Sequence, residues 1–262
     1  MAAWTLVLIG WAFAAGMMAC LWLLQRARAN AGVVDVGWAA GLGVIAVLYA
    51  ALASGAWPHR LLVGAVAGIW SARLAVYVFL NRVRGKPEDG RYQTLRARWG
   101  PGAQRRFFVF FQAQALLDAV LSLPFLAIAL NTHHSLSGWE YAGLALWVTA
   151  IGGESAADTQ LARWRADPAH HGRTCRAGLW RYSRHPNYFF EWLHWWVYVV
   201  MGVSAGWWWF ATLVGPALMS LFLFRVTGIP ATEAQALASR GDDYRDYQRT
   251  TSAFVPWFPK GR

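Results

Sequence analysis

The run Gly178-Leu179-Trp180-Arg181-Tyr182-Ser183-Arg184-His185-Pro186-Asn187-Tyr188-Phe189-Phe190-Glu191-Trp192 passes from a cationic loop into an apolar helix that still carries Asn187, Glu191 and His194. Pro186 suits the first helical turn, where its missing N–H removes no hydrogen bond. Asn187, Glu191 and His194 follow at steps of four and three, so they share one helix face. A cationic loop feeding a polar stripe suits an anionic ligand that also needs orienting contacts, which is the chemistry of a cofactor site. Arg165 and Arg173, with Arg176 and Arg184 beside them, are the guanidinium forks that would hold phosphates.

Other ionisable residues recur within apolar stretches, where they are costly and mark function. Asp35 opens the second stretch. Trp70, Arg73, Tyr77, Asn81 and Arg84 recur along the third at helical steps, and Glu154, Asp158 and Arg165 share a face of the fifth. All of these lie in the half of each span nearer the basic loops, implying a shared hydrated cavity. Asp118, in the middle of the fourth stretch, is expected as a neutral, hydrogen-bonded structural carboxyl. Plainer readings stand beside these. Arg73 could pair with Asp35 or snorkel, Asp158 and Arg165 could form a helix-end ion pair, and Tyr244 and Tyr247 could be packing residues.

The elements that position these groups are membrane helices. Of 262 residues, 57% are hydrophobic and 14% charged, against roughly 25% charged in a soluble domain. Stretches long enough to cross a bilayer are read at 4–25, 32–53, 60–80, 107–130, 139–160, 187–203 and 206–227. The 18 Trp suit interfacial belts. The fold class is therefore an all-α polytopic membrane bundle of about seven spans, residues 1–262 forming one integral membrane domain.

Basic residues concentrate in alternate connections: eight Lys and Arg from Arg82 to Arg106, six Arg from Arg163 to Arg184, and five Lys and Arg from Arg240 onwards. The positive-inside rule makes 82–106 and 163–186 cytoplasmic loops and 231–262 a cytoplasmic helix and tail, with the N-terminus outside. The net charge of +11 is then explained by topology and anionic lipid, with no nucleic acid. No basic residue precedes the first span, so it reads as a retained helix. Cys20 and Cys175 are not expected to pair, and no metal-ligand spacing is present. A bacterial cytoplasmic membrane is the expected location, with membrane lipids and a lipophilic small molecule as partners.

The segment Gly178 to Glu191 resembles the C-terminal domain of the steroid 5α-reductase family and of related sterol reductases, which carry a similar Arg-His-Pro-Asn-Tyr run before an acidic residue. The resemblance covers essentially the whole chain, including Asp35-Val36-Gly37-Trp38 and Gly241 to Pro256, and is closest to a bacterial branch of uncharacterised function. It implies an NADPH pocket lined by Arg73, Asn81, Glu154, Asp158, Arg165, Arg173, Asn187, Glu191, Tyr244 and Tyr247. The family polarises a substrate carbonyl with a Glu and a Tyr; here those positions read as Asp35 and Trp70, with Tyr77 about two turns further on. Trp donates a hydrogen bond but cannot shuttle a proton, so the cofactor half resembles the family more closely than the substrate half.

No strand-borne Gly-x-Gly-x-x-Gly precedes a helix, so a nucleotide would sit among the helices and not in a Rossmann domain. The expected activity is NADPH-dependent hydride transfer to an activated C=C bond of a lipid or steroid-like substrate. Asp35, Trp70 and Tyr77 form the catalytic set, and Asp35 serves as acid or carbonyl-polarising partner. Two alternatives remain at this level. Arg184-His185-Pro186 and the late Tyr-rich helix also resemble membrane methyltransferases of the isoprenylcysteine carboxyl type, whose S-adenosylmethionine carries no phosphate. The other is a non-enzymatic lipid-binding protein.

Overall fold

The first helix, α1 (Ala3–Arg28), is apolar until its last turn, where Arg26 and Arg28 complement the negative end of the helix dipole. It stops because Ala29 turns left-handed at φ 51°. This computed structural model describes residues 1–226 and 228–260, and every regular element among them is helical. Five helical stretches are long and apolar enough to cross a membrane: Ala3–Arg28, Val33–Leu52, Trp57–Val83, Gly90–Ala129 and Val214–Thr250. The chain is therefore a multi-pass helical membrane protein.

The helices divide between two compact units, residues 1–137 with 202–214 and residues 138–201 with 215–262. Unit 1 is built on α1, α2 (Val33–Leu52), α3 (Trp57–Val78), α4 (Gly90–Trp99), α5 (Ala103–Leu121), α6 (Leu123–Ala129) and the four-residue α9 (Trp209–Thr212). Lipid offers no hydrophobic drive between helices, so close backbone approach over small residues does the packing. Gly43 lies against Ser71, whose hydroxyl donates to the Ala39 carbonyl at 2.5 Å, and Gly64 lies against Ala50. Tyr49 bridges to Ser122 at 2.9 Å.

Unit 2 is built on α7 (Gly138–Ala166), α8 (Pro186–Met201), α10 (Val214–Leu221) and α11 (Ile229–Thr250). Gly143 and Gly153 bring α8 against α7, since a Cβ at either would strike Met201 or the Phe190 ring. Gly241, at φ 51° and ψ −123°, breaks α11 just after Arg240, a backbone conformation glycine adopts without Cβ strain.

Several expectations change. The stretch 107–130 forms two helices, because Pro124 in the first turn of α6 has no N–H to continue α5. The stretch 206–227 is broken into a 3-10 segment, α9 and α10, so it is not a single helix. At 16 residues, α8 falls short of the roughly 20 that cross a bilayer, and α7 carries Glu140, Glu154, Asp158, Arg163 and Arg165. The loop 82–106 contains a helix, α4, whose first N–H groups are capped by Asp89.

Candidate functional site

The basic face of unit 2 begins on the last turns of α7 with Leu161, Trp164 and Arg165. Asp167 accepts from the Ala169 N–H at 2.9 Å and nucleates a short turn. Gly172, at φ 75°, then sends the chain back, bringing His170, His171 and Arg173 beside the end of α7. From α11, Thr232, Gln235, Ser239 and Arg240 project along one face by their helical spacing. Together these residues line a cavity of about 440 Å³. The Trp164 and His170 rings stack on its wall, 3.5 Å apart and 4° from parallel.

Three arginines, Arg165, Arg173 and Arg240, meet at this cavity. None forms an ion pair with a carboxylate among the described residues. Arg240 sits over the Tyr244 ring at 5.0 Å, and its Nε is buried with no hydrogen-bond partner. Uncompensated guanidinium groups around a concavity are an anion site, because their donors and charge are satisfied only when a ligand supplies oxygens.

A polar seam lies further back along α7, where that helix packs against α8. Glu154 and Asp158 are buried on one face of α7, and Asn187 donates from Nδ2 to Asp158 Oδ1 at 3.4 Å. Glu191 follows one turn along α8. From Glu154 to Arg165 the helix rises about 16 Å at 1.5 Å per residue. Unit 2 thus presents a strip with carboxylates and a carboxamide at one end and free guanidinium groups at the other.

The Arg-rich loop before α8 has a different role from the one its composition suggests. Gly178, at φ 57°, brings the backbone onto Gln160, whose Oε1 accepts from Leu179 N–H at 2.8 Å. Arg184 donates to Glu233 at 2.7 Å and to the Thr251 carbonyl at 2.6 Å, and His185 reaches Glu233 at 3.2 Å. Arg176 pairs with Asp243 and Asp246 at 3.0 and 2.8 Å. Both arginines fasten α11 to the loop, so their forks are occupied by protein and not left open to phosphate. Tyr247 donates to the Trp180 and Ser183 carbonyls. It packs with Tyr244, Ala236 and Leu237 under the cavity, so these two tyrosines support the wall and do not line it.

In unit 1, Asp35 does not pair with Arg73. Its Oδ1 accepts from the Tyr92 phenol at 2.6 Å and its Oδ2 from Arg91 at 3.0 Å. This places a helix of the 82–106 segment against the start of α2. Glu88 completes the attachment, accepting from Ala31 N–H at 2.7 Å and from Arg96 at 2.7 Å, while Arg96 also reaches Gln25 at 3.2 Å. Burial opposes the Glu88 charge, but the hydrogen bonds from Arg96 and Ala31 outweigh it and hold the carboxyl below its usual range. Trp70 is fully buried, Arg73 lies over the Tyr77 ring at 6.0 Å, and Asn81 donates back to the Tyr77 carbonyl at 2.8 Å.

Asp118 is also fully buried, and neither carboxyl oxygen has a hydrogen-bond partner, contrary to the hydrogen-bonded carboxyl expected there. No group of three or more His, Cys, Asp or Glu among the described residues is placed to hold a metal ion.

Sequence reading reached Arg165, Arg173, Asp158 and Asn187 as site residues but missed Arg240, His170 and Tyr92. The available signal for Arg240 was its position eight residues after Thr232 on a helix face that also carries Gln235 and Ser239. A family model described as a protein of unknown function (DUF1295) matches residues 21–251, and the chain belongs to that family. No curated protein and no solved structure matches the chain.

Proposed function

We propose that this member of the DUF1295 family is a membrane-embedded, NADPH-dependent reductase that transfers hydride to an activated C=C bond of a lipid or steroid-like substrate. The observation that carries this reading is the strip on unit 2, with Arg165, Arg173 and Arg240 without a carboxylate partner at one end, Asp158 and its partner Asn187 about two turns away along α7, and Glu191 one turn further along α8. That spacing and polarity suit an extended dinucleotide, with phosphates at the cationic end and a nicotinamide carboxamide at the end that offers both donors and acceptors. NADPH bound there would supply the hydride. The chain's own part is to hold the phosphates through Arg165 and Arg173 and to orient the carboxamide through Asn187 and Glu191.

Reduction of a C=C bond also consumes a proton, and within unit 1 the Asp35–Tyr92 pair has the chemistry of a proton donor. The phenol that Trp70 cannot replace is present in Tyr92, 2.6 Å from the carboxylate. Seven spans, an outside N-terminus and a bacterial cytoplasmic membrane complete the proposal, with the basic segments 82–106, 163–186 and 231–262 on the cytoplasmic side.

Thermal melting of the detergent-purified protein tests the reading. NADPH is expected to raise Tm, and Arg173→Ala to reduce that shift by a factor of about ten in ligand affinity. A shift with S-adenosylmethionine and none with NADPH would assign the chain to methyl transfer instead. Tyr92→Phe is expected to keep the NADPH shift and lose turnover; unchanged turnover removes Tyr92 from the chemistry.

A further inference from the structure

Arg240 has the surroundings of a ligand-reading group, and they differ from those of the arginines near it. Arg176 and Arg184 are each held by carboxylates at 3.0 Å or less. Arg240 has no carboxylate partner, and its Nε is sealed from solvent without a hydrogen bond. Its guanidinium carbon lies over the Tyr244 ring, 5.0 Å from the centroid, a cation–π contact that holds the group at the wall. Arg165 is close enough across the cavity to repel it electrostatically. Two like charges facing one concavity, one of them partly desolvated, raise the free energy of the empty site. An anion between them removes that cost.

The count of charges is the second observation. A dinucleotide pyrophosphate carries two negative charges, which Arg165 and Arg173 balance. Arg240 is a third cation on the same wall, with no acidic residue lining the cavity. Gln235 stands beside it on α11, adding a neutral side-chain donor suited to a further phosphate oxygen. Resting on the nucleotide reading above, we propose that Arg240 is the specificity-determining residue of this site. Its fork, held over the Tyr244 ring, reads an additional phosphomonoester, the one that distinguishes a 2′-phosphorylated adenosine from adenosine itself. A phosphomonoester carries close to two charges near neutral pH and matches a guanidinium fork.

The test compares 2′,5′-ADP with 5′-AMP, which lacks only the 2′-phosphate, as probes for the purified full chain in mild detergent, measured by calorimetric titration. The wild type is expected to prefer 2′,5′-ADP by about tenfold or more, the strength of hydrogen bonds to a charged group. Arg240→Gln is expected to reduce that preference to near unity, the loss falling far more on 2′,5′-ADP than on 5′-AMP. Arg240→Lys keeps the charge without the fork, and is expected to fall between the two. It also serves if the glutamine variant does not fold. Arg165→Gln, by contrast, should weaken both probes together. A preference unchanged in Arg240→Gln, or an equal loss for both probes, overturns the assignment of Arg240 while leaving the nucleotide site standing. A wild type that binds neither probe, but is stabilised by phosphatidylglycerol micelles, makes the cavity a lipid-headgroup site and overturns both readings.

Discussion

At the scale of single residues, a buried polar group reveals most when the protein does not satisfy it. Asp118 and Arg240 both have unsatisfied atoms, but in different surroundings. Arg240 opens on a cavity that a ligand can fill, whereas Asp118 is packed against α2 at Gly41, where a Cβ would lie 2.6 Å from its Oδ2. The glycine and the carboxyl are therefore a matched pair. Gly41→Ala is expected to lower stability by about 1–3 kcal/mol through overpacking. Adding Asp118→Ala should recover part of that loss, because the methyl then occupies the space left by the carboxyl. Thermal melting of the two single variants and the double variant gives the coupling. Additive effects would show that the two side chains do not share that space. Glu191→Gln belongs to the same scale. It keeps size and hydrogen-bonding capacity, so the folded protein is expected to persist with weakened NADPH binding, and unchanged binding and turnover would reduce Glu191 to a structural role.

At the scale of elements, the 82–106 segment is a folded attachment and not an extended polar loop. Its helix, α4, is tied to the start of α2 by Glu88, Arg91 and Tyr92, and to α1 by Arg96 on Gln25. Glu88 and Asp89 both titrate below their ordinary range; in each, hydrogen bonds from arginine and a backbone N–H outweigh the effect of burial. A carboxyl depressed by folding contributes stability that is fully present above its unfolded pKa, about 4.3 for Glu. That contribution is lost as the pH falls through the lower, folded value. Limited proteolysis between Arg82 and Arg106 is therefore expected to be slow at pH 6 and to accelerate below about pH 4. Glu88→Gln should raise cleavage at pH 6 and flatten the acid response. A cleavage rate with the same pH profile in that variant would assign the attachment to other contacts. The Gly178 turn and the Arg184–Glu233 bond do the equivalent work in unit 2, holding the entry to α8 against α11.

At the scale of the whole molecule, charge and helix length answer different questions. Five helical stretches meet the length and apolarity of a membrane crossing. The proposed seven-span topology additionally requires α7 and α8 to cross, with the polar seam of α7 facing protein and not lipid. Orientation is open to a direct measurement. A membrane-impermeant maleimide is expected to label His134→Cys in intact cells, and Lys86→Cys only after permeabilisation. Labelling in the opposite order would invert the topology. Equal labelling of both in intact cells would place an even number of crossings between them.

Composition and spacing alone determined that this is a helical membrane protein, since a chain 57% hydrophobic with long apolar runs must satisfy its backbone within helices. They also put Glu154, Asp158 and Arg165 on one face of one helix, and Asn187, Glu191 and His194 on one face of another, because residues at steps of three, four and seven share a helix face whatever the tertiary context. Pairing was not legible. Of six arginines from Arg163 to Arg184, spacing could not show that Arg176 and Arg184 are neutralised by Asp243, Asp246 and Glu233, more than forty residues away. Nor could it show that Asp35 is bonded by Arg91 and Tyr92 and not by Arg73. Helix periodicity is a local property of the backbone and appears in the sequence, whereas the partner of a charge is set by where distant helices come to rest. Only the tertiary structure separated the arginines that hold the protein together from Arg165, Arg173 and Arg240, which line a cavity without a carboxylate partner among the described residues.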